Sequence, residues 1–150
     1  MSAAETCPPR NWRHQYAPTL AEFEVLAAEA WERLPAEFRQ MSGDVVVRIE
    51  DWATEEVLDE LGIEDPLDLM GLYQGVSLDR KSVSDVPQTP DMVFLYRRAI
   101  LDYWAEGGET LDHLVTHVLI HEIGHHFGLS DADMEAIEAA VRDDDEPKPA

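Results

Sequence analysis

The chain has 150 residues, of which 45% are hydrophobic and 29% charged, and it carries a formal net charge of −21 at pH 7. That suits one soluble domain with a core of its own, and the single cysteine, Cys7, excludes a disulfide scaffold. With no apolar run near the roughly 20 residues of a membrane span, no basic and apolar signal-like start, and 32 Asp plus Glu against 11 Lys plus Arg, neither a membrane nor nucleic acid is an expected partner, and the cytoplasm is the expected address.

Residues 1–18, with Cys-Pro-Pro, Pro18 and no usable period, read as a flexible lead-in. Thr19 followed by Glu22 is a capping-box pattern. Behind it Leu20, Phe23, Leu26, Ala27, Ala30, Trp31 and Leu34 recur at helical spacing, predicting a helix over 20–34 that ends near Pro35. Gly43 leads into the β-branched run Val45–Ile49, a strand. Thr54 opens a short helix that stops at Gly62, and Pro66 precedes a single turn at 67–69. Leu72–Leu78, interrupted by Gly75, reads as a second strand, and 79–91 as a polar loop. Met92–Arg97 is a third strand, passing into a short helix through Ile100, Leu101 and Trp104 that Gly107-Gly108 breaks.

Thr110 then caps the longest helix, 111–127, with Leu111, Leu114, Val115, Val118, Leu119, Ile123 and Phe127 on its buried face. Gly128 can end it in the left-handed conformation, and Ser130 can cap a last helix over 131–141. The organisation is a single domain at 19–142 followed by a disordered acidic tail at 143–150. Strands and helices intermix without βαβ alternation, so the class is α+β.

The chemistry concentrates in His121-Glu122-Ile123-Gly124-His125-His126-Phe127-Gly128-Leu129-Ser130-Asp131. His121 and His125, four apart on a helix, project from one face and can bind one ion. Glu122, one step round, can miss the metal and reach a water bound to it, which makes it the candidate general base. At this composition about 0.03 chance matches to His-Glu-x-x-His are expected, so the pattern points to metal binding rather than incidental surface histidines. A catalytic zinc also needs a third ligand and an open position. Asp131 arrives after the Gly128 bend, and its carboxylate is free to turn back if Ser130 takes the capping role. If Asp131 is itself the cap, Glu135 or Glu138 supplies the ligand. His113 and His117 continue the stripe as partly buried histidines, and His126 points about 100° away from His125.

This motif, with the segments Phe94–Arg98 and Gly71–Val76, resembles the small bacterial metallopeptidases called minimal zincins. The resemblance implies a small mixed sheet packed on two long helices, with the active-site helix 111–127 beneath an edge strand. It also implies a zinc peptidase: one Zn2+ ion at His121, His125 and Asp131, whose water, with Glu122 as base, hydrolyses bonds in peptides or unfolded protein. The extended motif is similar to that of metzincins with Asp for the last His, but only 19 residues follow Asp131, too few for their methionine-turn subdomain, and Met134 reads as a core residue. Tyr96, Arg97 and Tyr103 are the candidate oxyanion or substrate-binding groups, and strand 92–97 is a candidate edge for an extended peptide or for a dimer. The rival expectation is an inactive zincin-like module that binds a protein partner. Another divalent ion remains compatible with two imidazoles and a carboxylate, and the sequence leaves the oligomeric state open.

Overall fold

The computed structural model describes residues 12–75 and 90–145, with side chains through Arg142. The lead-in before Trp12, including Cys7, strand residues 76–78, the loop to 89 and the tail beyond Asp145 lie outside them. Within the expected lead-in, Trp12–His14 form a 3-10 turn. The capping box at Thr19 forms in both directions, with Glu22 N–H donating to Thr19 Oγ1 at 3.1 Å and Thr19 N–H to Glu22 Oε1 at 3.0 Å. It starts α1, Leu20–Arg33. A helix absent from the sequence reading, α2 (Ala36–Ser42), follows Pro35. It is seven residues long, too short to display a period.

Strand β1 (Val46–Glu50) leads to α3 (Glu55–Leu61), capped by the Thr54 hydroxyl and closed by Gly62 at φ +69°. A 3-10 turn at Pro66–Asp68 precedes β2 (Gly71–Gln74). After the undescribed stretch come β3 (Met92–Tyr96) and α4 (Arg97–Trp104). Next is α5 (Leu111–His126), whose cap Thr110 accepts a hydrogen bond from His113 N–H. The last helix, α6 (Asp131–Asp145), runs four residues beyond its predicted end and into the expected tail. None of the described helices is long and apolar enough to cross a membrane.

The three described strands form one mixed sheet in the order β1-β3-β2, with β1 parallel and β2 antiparallel to β3. The fold is α+β, as expected. The position of the third strand is not. Strand 92–97 was expected at an edge, but β3 is central and paired on both sides, so neither a peptide nor a second copy can add to it. The physical reason lies in the run Met-Val-Phe-Leu-Tyr, which is apolar on both faces and reads as an inner strand. Arg97 already belongs to α4.

Helices α1 and α5 pack on the sheet and on each other, and α6 packs on α5. Phe23, Ala27 and Ala30 of α1 meet Leu114, Val115, Leu119 and Ile123 of α5 and Val93 and Leu95 of β3 in the main core. Arg33 at the end of α1 forms an ion pair with Asp112 in the first turn of α5, where an acid also complements the helix dipole. Phe127, predicted on the buried face, is 38% exposed. The helix stops at His126, so Phe127 leaves the apolar stripe and lies edge-on to Tyr73 and His126 instead.

Candidate metal centre

His121, Glu122 and His125 all lie on α5, the two histidine rings edge-to-face with centroids 5.6 Å apart. The chain then turns at Gly128, φ +76°, a conformation that costs a glycine little. Asp131 opens α6 one residue after Ser130, and Ser130 is the cap. Its Oγ accepts from Asp133 N–H at 3.1 Å, while Asp133 Oδ2 accepts from Ser130 N–H at 3.2 Å. The reciprocal bond leaves the Asp131 carboxylate uncommitted to capping. Asp131 is exposed, and its charge is felt at His121, where it favours the protonated ring. Glu135 is exposed, whereas Glu138, the other alternative ligand, faces the histidines.

Two close approaches set the walls of the site. Gly71 of β2 sits against α5 so tightly that an added Cβ would lie 2.6 Å from Val118 Cγ1 and 3.2 Å from Glu122 Cγ. β2 is thereby pressed onto the turn that carries Glu122. Tyr96 N–H donates to Met70 O at 2.9 Å. Bonded and non-bonded pairs alternate along an antiparallel ladder, so Tyr73, opposite Val93, turns its N–H away from β3. That N–H lies near enough to the Glu122 carboxylate to favour its charged form. On the far side of α5, a Cβ on Gly124 would lie 2.6 Å from Met134 Sδ. Met134, fully buried on α6, thus fills the space beside the motif from a helix, as a core residue.

Burial raises the pKa of Glu122 above the ordinary carboxylate value, opposed by His125 and by the Tyr73 N–H. A carboxyl with heightened proton affinity is suited to accept a proton in a reaction and hold it until a leaving group needs it. Burial likewise lowers the pKa of His121, reinforced by His117 and His125 and opposed by Glu138 and Asp131, so the ring is disposed to offer a lone pair. Its Nε2 is buried without a hydrogen-bond partner. An orphaned imidazole nitrogen facing the Glu138 carboxylate at 3.9 Å is an environment a divalent ion satisfies, whereas His121, His125 and Asp131 are not among the described groups whose ligand atoms lie within 4.8 Å of one another.

A grouping missed by the sequence reading is His117, His121 and Glu138, whose potential ligand atoms lie within 4.8 Å of one another. The i, i+4 stripe pointed to His117, but nothing local places Glu138 of α6 against it. Among the other candidates, Tyr96 is buried at the end of β3, close enough for the charges of Glu50 and Glu122 to help burial push its phenol up to about 12. The Arg97 guanidinium is engaged by the Pro18 carbonyl at 2.6 Å and Asp51 Oδ1 at 3.0 Å, and it pins the end of the lead-in to the body. Tyr103 is 47% exposed on α4. His126 stacks on Tyr73, with centroids 3.8 Å apart.

A model of the family described as zincin-like metallopeptidase matches residues 42–141, about two thirds of the chain. The chain belongs to that family. The zincin-like match takes in the whole sheet, the motif helix α5 and most of α6, and it leaves α1 outside although α1 closes the core. No curated protein matches the chain.

Proposed function

We propose that this zincin-like protein is a zinc-dependent peptidase, with His121, His125 and Asp131 holding the ion and Glu122 acting as general base. The observation that carries this reading is the state of Glu122: a half-buried carboxylate, beside the two motif histidines, near the Tyr73 N–H and raised in proton affinity. A purely structural metal site has no use for such a group, and structural zinc takes four protein ligands. A divalent ion, when bound, polarises a carbonyl and brings the pKa of water towards neutrality. Glu122 takes the proton from the attacking water and passes it to the departing amine. The buried Tyr96 phenol, protonated up to about pH 12, is the proposed donor to the developing oxyanion. Charge favours neutral or basic unfolded segments as substrates, encountered in the cytoplasm.

The rival reading, an inactive metal-binding module for a protein partner, is separated by one comparison. Wild type and Glu122→Gln, both loaded with zinc, are assayed on casein and on a peptide library. A loss of about 10²–10⁴-fold with zinc content unchanged is the expected result. Equal, negligible turnover by both proteins assigns the chain to the binding module.

A further inference from the structure

The donor group beside the motif has a geometry of its own. The Glu138 carboxylate bridges two imidazoles: Oε1 contacts His117 Nδ1, and Oε2 lies 3.9 Å from His121 Nε2. The rings of His117 and His121 stack with centroids 4.0 Å apart. Donors bound to one tetrahedral ion at about 2.0–2.1 Å stand roughly 3.4 Å from one another. Atoms already within 4.8 Å therefore close on an ion through side-chain shifts of about 1 Å, with both helices in place. Glu138 is only 15% exposed, whereas Glu135 one turn earlier points to solvent. A carboxylate withdrawn from water calls for a positive or donating partner; the proton shared between His117 Nδ1 and Glu138 Oε1 now supplies one, and a divalent ion can take that proton's place between the same atoms. The buried, unpartnered Nε2 of His121 is the third donor.

We propose that His117, His121 and Glu138 form a second divalent-cation position that shares His121 with the motif site. The inference rests on the motif-site reading for that sharing. One ring nitrogen has one lone pair, so Nε2 of His121 serves one ion at a time and the two ligand sets compete for it. An ion in the second position is held one turn earlier on α5, and it leaves His125 and Asp131 without the metal. The protein then has a resting, metal-loaded form in which the motif is incomplete, and the balance between the forms is set by Glu138 and His117 against His125 and Asp131.

The test reads metal content and not turnover. The full-length chain carrying His125→Ala and Asp131→Asn, stripped and then dialysed against zinc, is expected to retain one ion per chain and to give a tetrahedral absorption spectrum with cobalt(II). Adding Glu138→Gln, or separately His117→Asn, weakens that binding by at least about tenfold. Absence of metal from the first variant, with a cooperative thermal transition to show that it is folded, overturns the proposal. Zinc lost on Glu138→Gln alone, with the motif intact, also overturns it, because Glu138 then serves the motif site itself. A chain that binds zinc as expected but cleaves nothing sinks the peptidase reading and leaves the second position standing.

Discussion

The two turns of the motif are held in different ways. His121 and Glu122 are walled in, by strand β2 pressed on α5 at Gly71 and by α6 pressed on it at Gly124. His125 and Asp131 are exposed, and Asp131 hangs from a helix cap rather than from a packed contact. One half of the site is thus fixed by the same close packing that holds the core. The other half is free to rearrange. Rigidity thus falls on Glu122 and His121, the residues to which the proposed chemistry assigns the strictest geometry, and the exposed positions keep more freedom.

The largest way to break this contrast is Met134→Ala. The side chain is fully buried against Gly124, so truncation should cost about 2–5 kcal/mol of stability, read by denaturant unfolding. A cost under about 1 kcal/mol would show that α6 does not wall the site. Next is the open half. His125→Ala should change the stability of the metal-free protein by no more than about 0.5 kcal/mol. In the wild type, zinc at 100 times its dissociation constant should add about 2.7 kcal/mol, and His125→Ala combined with Glu138→Gln, which leaves neither ligand set complete, should lose most of that gain. Calorimetry with and without chelator measures both.

The smallest effect is alkaline. Folding raises Tyr96 from its ordinary value near 10 to about 12, by burial first and then by Glu50 and Glu122. A group that binds its proton more tightly when folded contributes stability that is intact below pH 10 and lost as the pH climbs to 12. Tyr96→Phe should flatten that decline. It should not abolish it, because burial and the bond to Asp91 raise Tyr73 as well. An unchanged alkaline limb in Tyr96→Phe would remove Tyr96 from the buried neighbourhood of Glu122.

Much of this was legible in the sequence because it is local. The caps at Thr19, Thr54, Thr110 and Ser130 all form, α5 ends within one residue of its predicted limit, and the family stated by the motif is the family that matches. What escaped has physical causes. Helix α2 is held by Phe38 in the core and not by a pattern of its own. The central place of β3 is hinted at by its unbroken apolar run, but length and flanks do not reveal how many neighbours a strand has, so the pattern is equally compatible with an edge. The meeting of Glu138 with His117 depends on the angle at which α6 returns along α5, and that angle is set by Met134 entering the notch at Gly124. Sequence spacing carries no information about such a crossing. The oxyanion candidates were chosen by proximity along the chain, and of these Arg97 is engaged by Pro18 and Asp51.

Met134 has one more consequence, a chemical one. Methionine sulfur is converted by peroxide to a sulfoxide, whose added oxygen needs room and hydrogen-bonding partners. Around Met134 there is neither, since its sulfur faces the backbone of Gly124 with no solvent exposure, whereas Met41, Met70 and Met92 are only half-buried. Oxidation at this one position therefore reports excursions in which α6 lifts from α5, and its rate relative to the other methionines serves as a clock for how often the molecule opens beside the helix that carries the motif.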